Sequence, residues 1–148
     1  MERIQSLAEL DTFAKTFIAS LVPRTDQATV ITLSGELGAG KTAFVQCCAK
    51  VLGVSEEITS PTFVIENRYE VSDTRFSHLV HIDAYRLEGG ESLAPLRFAE
   101  DVKKPQILIM LEWPEQVASA LQGLSVISLT FTHTEGGVRE IAVTYPHV

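Results

Sequence analysis

Residues 33–45 read LSGELGAGKTAFV, with glycines at 35, 38 and 40 followed at once by Lys41 and Thr42. Glycine gives up more backbone freedom on folding than any other residue, so a cluster this dense implies that something approaches the main chain closely. The spacing Gly35-x4-Gly40-Lys41-Thr42 fits G-x-x-x-x-G-K-[ST]. Its flanks are those the pattern requires. ATVITL, 28–33, is rich in β-branched residues and predicts a buried strand. KTAFVQCCAKVL, 41–52, predicts a helix, with Phe44, Cys47, Cys48, Val51 and Leu52 on one face and Gly53 closing its C-terminus. Backbone N–H groups in such a turn form a concave nest for phosphate oxygens. The helix that follows points its positive end at the same anion. Lys41 adds a point charge for the β- and γ-phosphates, and the Thr42 hydroxyl suits Mg2+. The expected cradle comprises Gly35, Glu36, Leu37, Gly38, Ala39, Gly40, Lys41, Thr42 and Ala43.

The rest of the chain supplies the frame. Residues 6–21 predict a helix: Ser6 and Glu9 form a capping box, and Leu7, Leu10, Phe13, Ala14, Phe17 and Leu21 recur at helical spacing. VIENRYEV and HLVHIDAYR predict two strands paired as a hairpin through SDTRFS. A short helical region falls within 91–101. QILIML, 106–111, is continuously apolar, as a buried central strand is. PEQVASALQG suits a short helix with Pro114 in its first turn. LSVISLTFTH, the turn TEGG and VREIAVTY close the chain as a β-hairpin. The expected fold is α/β: a P-loop NTPase-type mixed sheet flanked by helices, with a C-terminal β-hairpin, in a single domain over residues 1–148.

A P-loop of this kind usually works with an acid at the end of a buried strand, holding Mg2+ or ordering the attacking water. Glu112 ends QILIMLE and Asp83 ends HLVHID. Glu112 is favoured for the metal, directly or through water, because ligands sit beyond the carboxyl ends of central strands in open α/β sheets. Asp83 is second, and both can act. Trp113 follows Glu112 and is a candidate neighbour of the nucleotide. TSPT, 59–62, supplies the hydroxyls of Thr59, Ser60 and Thr62 and resembles a loop that senses a γ-phosphate; an ordinary polar turn is the other reading. Arg86 could neutralise phosphate charge, although an isolated arginine is more often a surface ion-pair partner. His81 shares a strand face with Asp83. The four histidines have no zinc spacing.

Several classes are excluded. There is no N-K-x-D or D-x-x-G motif, which argues against a Ras-like GTPase and makes ATP the default. No apolar run approaches the ~20 residues needed to span a bilayer, and the acidic N-terminus lacks a signal-peptide core, so no membrane association and a cytoplasmic location are expected. The adjacent Cys47 and Cys48 are poorly placed for a mutual disulfide and read as small buried residues in a reducing compartment. The net charge is −7 and the longest basic run is Lys103-Lys104. A protein that grips nucleic acid unaided usually carries a basic stripe; if RNA is involved, another protein holds most of it.

LSGELGAGKT, TSPTF with NRYE, HIDAYRL and LEWPE occur in an order that resembles the TsaE (YjeE) family, small P-loop ATPases of tRNA threonylcarbamoyladenosine modification. REIAVTY is similar to that family's last strand, so the resemblance covers nearly the whole chain. Glu36 stands where the family commonly has Asp, and Ala84 where it has Leu. The resemblance implies Mg2+-dependent ATP hydrolysis; because so short a sequence shows no assured arginine finger, turnover is expected to be slow alone, with a finger or an ordered loop supplied by a partner. It implies two partners, the threonylcarbamoyl-transferase catalytic subunit and its non-catalytic paralogue, with tRNA met mainly through them. By the same resemblance, Gly35 to Thr42 hold phosphates and Mg2+. Thr59, Ser60 and Thr62 form the switch-like loop, Asp83 and Glu112 are the acids, and Trp113 is the tryptophan beside the acid. The alternatives are a small-molecule kinase, for which 148 residues leave little room, and a non-catalytic nucleotide-gated binding module.

Overall fold

The computed structural model describes residues 2–36, 38–54, 66–85 and 97–146. In chain order the elements are β1 (Glu2–Ile4), α1 (Leu7–Ser20), β2 (Thr29–Gly35), α2 (Lys41–Val51), β3 (Glu66–Glu70), β4 (His78–Asp83), α3 (Phe98–Asp101), β5 (Ile107–Glu112), a 3-10 helix (Pro114–Leu121), β6 (Val126–His133), a short turn of the same kind (Glu135–Gly137) and β7 (Arg139–Thr144). Among the described residues the strands form one seven-stranded sheet in the order β1-β7-β6-β2-β5-β4-β3. The central four, β6, β2, β5 and β4, run parallel, and the outer pairs β3–β4, β6–β7 and β1–β7 are antiparallel. The sheet is therefore mixed, with the C-terminal hairpin built into it, as expected.

Two apolar layers cover the sheet. On one face, Ile31, Leu33, Leu79, Leu108 and Met110 pack under α1 and α2. On the other, Val30, Val80, Ile82, Ile109 and Leu111 meet Phe98 of α3 and Val117 of the 3-10 helix. Every residue of β5 is buried, because parallel strands at the centre of such a sheet are covered on both sides.

The helices start and stop where local chemistry says they should. The Glu9 amide donates to Ser6 Oγ at 3.1 Å, and the Glu9 carboxylate accepts from the Gln5 amide at 2.8 Å, so the return bond of the cap falls one residue earlier than in the simplest form. At the end of α2, Gly53 lies at φ +78°, its amide reaches Lys50 O and the Val54 amide reaches Ala49 O. This is the paired hydrogen-bond closure that a left-handed residue permits. Phe44, fully buried on α2, packs its ring 5.6 Å from Phe13, 5.8 Å from Phe17 and 5.7 Å from Phe131. One aromatic cluster thus ties α2 to α1 and to β6 at these centroid separations.

The four central strands end at one edge of the sheet: Gly35 of β2, Asp83 of β4, Glu112 of β5 and His133 of β6. That edge is where open parallel sheets hold ligands.

Candidate nucleotide site

At the exit of β2 the chain can only be glycine. Gly35 lies at φ +146°, and a Cβ there would stand 2.5 Å from the carbonyl oxygen of Phe131 on β6. The turn then folds on itself, with the Ala39 amide donating to Glu36 O at 3.0 Å. Gly40 occupies the N-cap of α2 in the left-handed region, at φ +102°. A Cβ at Gly40 would lie 2.8 Å from a guanidinium nitrogen of Arg139. Glycine at both positions keeps Cβ atoms away from the start of α2, where a helix directs its first-turn amides outward. Glu36 and Gly38 are exposed, Ala39 is buried, and Ala43 packs partly against the apolar layer under α2. Leu37 lies outside the described residues.

Lys41 is only 5% exposed. Its ammonium donates to the carbonyl of Gly35 and, at 3.3 Å, to that of Glu36, and it sits 3.7 Å from the centroid of the Trp113 ring. Burial lowers its pKa below the usual lysine value, against the pull of Glu112, Glu115 and Asp83. Trp113 is the sole non-glycine residue at positive φ among the described residues, at φ +61°. That is strained for an aromatic residue before a proline. The turn carries the chain from β5 into the 3-10 helix, with Pro114 at its start, and places the indole between Lys41 and Tyr85, whose ring is 5.0 Å away.

Thr42 Oγ1 donates to the Glu112 carboxylate, 3.2 Å from Oε1 and 3.1 Å from Oε2. Glu112 is 2% exposed. In the β4–β5 register Asp83 stands directly opposite it, so the two carboxylates share a face of the sheet. Asp83 is half-buried and accepts from the Tyr85 amide at 3.0 Å. Burial, with the nearby Glu112 charge, raises its pKa above the usual aspartate value. Among the described residues no group of three or more His, Cys, Asp or Glu side chains is arranged to hold a metal. One carboxylate with one hydroxyl is instead the donor set by which Mg2+ is held jointly with substrate phosphates. The glycine cradle and this pair fit ATP and Mg2+.

Three side chains at the site carry no role in the motif reading. His81 bonds Glu112. The exposed His133 donates from Nε2 to Gly38 O at 3.0 Å, and Arg139 lies against Gly40. His133 and Arg139 are register partners at the end of the C-terminal hairpin, 91 or more positions beyond the loop, and only the strand pairing brings them there. Of the residues expected from the sequence, Gly35, Gly38, Gly40, Lys41, Thr42, Asp83, Glu112 and Trp113 converge on this edge. Thr59, Ser60, Thr62 and Arg86 lie outside the described residues.

The family model described as "Threonylcarbamoyl adenosine biosynthesis protein TsaE" matches residues 4–141. The chain belongs to the TsaE family. A TsaE from Treponema pallidum is 38% identical over 118 residues, covering 80% of this chain and 83% of its own. One from Nostoc sp. is 36% identical over 117 residues, covering 78% and 69%. Both carry the name tRNA threonylcarbamoyladenosine biosynthesis protein TsaE. The crystal structure of Bacillus subtilis YdiB superposes with a TM-score of 0.77 at 25% identity, covering 99% of this chain and 84% of that one. The matched TsaE span contains the whole arc from the glycine turn through Glu112 to Arg139. No helix among the described residues is long and apolar enough to cross a membrane.

Proposed function

We propose that this TsaE chain binds ATP with Mg2+ and hydrolyses it in the service of tRNA threonylcarbamoyladenosine modification, without transferring the threonylcarbamoyl group itself. The observation that carries the reading is the meeting of Lys41, Thr42 and Glu112 at the mouth of a glycine-rich turn. Turn amides and the start of α2 would bind phosphate oxygens, with Lys41 supplying charge and Arg139 a second cation beside Gly40. Thr42 and Glu112 would hold Mg2+, which when bound neutralises charge on the β- and γ-phosphates. Asp83, with its pKa raised, would orient a water or take its proton. Trp113 packs on Lys41 and keeps bulk water from the ammonium.

Family membership and charge support a partner reading. The threonylcarbamoyl-transferase catalytic subunit and its non-catalytic paralogue would supply the tRNA surface, since a chain of net charge −7 is poorly suited to grip RNA alone. Such a protein acts in the cytoplasm.

The test is phosphate release from Mg-ATP, by the protein alone and with the transferase pair and tRNA. Slow release alone, a rise with partners, and its loss in Lys41→Ala with an unchanged melting temperature are the expected results. Background release under every condition, with ATP still bound, makes the chain a nucleotide-gated binding module. A phosphorylated metabolite would make it a kinase.

A further inference from the structure

His81 lies in the middle of β4 and is completely buried. It is two residues before Asp83, so its side chain leaves the sheet on the same face as Asp83 and Glu112. Its Nε2 is 2.6 Å from Glu112 Oε2. Its Nδ1 has no hydrogen-bond partner among the described residues. An imidazole in a strand core has no need to point at a carboxylate, and a carboxylate 2% exposed is costly unless donors surround it. The two side chains meet each other's requirement. A carboxylate only accepts, so the hydrogen is on Nε2, and the bond sets the tautomer.

The division of labour on Glu112 is informative. His81 engages Oε2 alone, while Thr42 reaches both oxygens. A carboxylate pinned through one oxygen has its side-chain torsions fixed, and its other oxygen stays turned toward the Thr42 hydroxyl. This is how a group behind a metal-binding carboxylate acts in general: it orients the ligand without touching the ion.

We propose that His81 is a positioning residue that holds Glu112 in the orientation in which Oε1, beside Thr42 Oγ1, is presented to a divalent cation. The proposal rests on the Mg-ATP reading above. Its predicted signature is a change in metal affinity that follows the Nε2 hydrogen bond rather than the volume of the side chain.

The experiment measures Mn2+ binding by electron paramagnetic resonance, with ADP present, and in parallel ADP affinity without metal. His81→Met fills the space without a donor. His81→Asn keeps an amide donor near the position of Nδ1 and loses the reach to Oε2. His81→Gln places its amide where Nε2 was. Circular dichroism melts confirm which variants are folded, and Met and Asn each carry the test independently. The expected result is Mn2+ affinity weakened roughly 10- to 100-fold in the Met and Asn variants, recovery in the Gln variant to within about 3-fold of wild type, and metal-free ADP affinity unchanged throughout. Wild-type Mn2+ affinity in a folded Met or Asn variant overturns the proposal. Equal weakening in all three, Gln included, also overturns it, because packing and not the bond is then responsible. Glu112→Ala separates the two levels: if it keeps wild-type Mn2+ affinity, the metal assignment of Glu112 is wrong, whatever His81 does.

Discussion

At Asp83 and Glu112 two carboxylates stand side by side across one rung of a parallel ladder, and their different burial and donors set them apart in chemistry. Among the described residues Glu112 has two donors, and Asp83 has one backbone amide and partial burial. Folded Asp83 holds its proton more tightly than an unfolded chain, where an aspartate titrates near 3.9. Its contribution to stability is therefore fully present below that value and is lost as pH rises through the raised folded pKa. At neutral pH its charge is a cost to the fold, which the proposed role of Asp83 toward the attacking water would account for. Asp83→Asn is expected to melt higher than wild type at pH 7, without metal or nucleotide. The gap closes as pH falls toward about 4, and phosphate release drops at the same time. Melts by circular dichroism at the two pH values check this; identical melting at pH 7 would mean that the charge carries no penalty.

The elements that hold the site are fixed by unequal constraints. Alanine at Gly35 would place a methyl against the backbone of β6, which the sheet ladder holds rigid. Alanine at Gly40 would meet the end of a long arginine, which can swing aside. Both lie at positive φ, a conformation costing an L-residue about 1–2 kcal/mol. Gly40→Ala is expected to lose about that much in urea unfolding, and Gly35→Ala distinctly more; the reverse order would show that Arg139, not β6, is the tighter wall. The sequence made the strand, turn and helix around these glycines legible because each carries its own local signal: β-branched residues, glycine spacing and a 3.6-residue apolar period. The continuous apolar run of β5 was legible for the same reason. It could not announce β1, three residues whose partner on β7 lies more than 130 positions away. Nor could it announce that His133 and Arg139 would reach the glycine turn. Those are products of strand order, which no local pattern encodes. His81 is an intermediate case: its face was readable from period-two spacing, its bond to Glu112 was not, since that needed the β4–β5 register.

For the whole molecule, the described basic side chains at the site offer little charge to a large anion. Lys41 is buried, and Arg139 is half-buried against Gly40. With a net charge of −7, the protein alone is expected to bind tRNA weakly in about 0.1 M salt, where charges are screened beyond about 10 Å. Fluorescence anisotropy with labelled tRNA tests this. Tight binding by the isolated chain, with a steep salt dependence, would remove the need for partners to carry the RNA.

The neighbours of β2 have a consequence for how the protein is made. β2 is complete by residue 35, yet the strands that flank it are β5 and β6, which end at residues 112 and 133. A chain still being synthesised has the glycine turn long before it has either wall. Arg139 and His133, the groups that brace the turn, are among the last 16 residues of the 148 in the sequence. Domains fold as units once their parts are available, so a half-made chain cannot present a finished phosphate cradle. On the function proposed above, nucleotide competence arrives only with the closing hairpin, and a ribosome-bound fragment would not consume ATP.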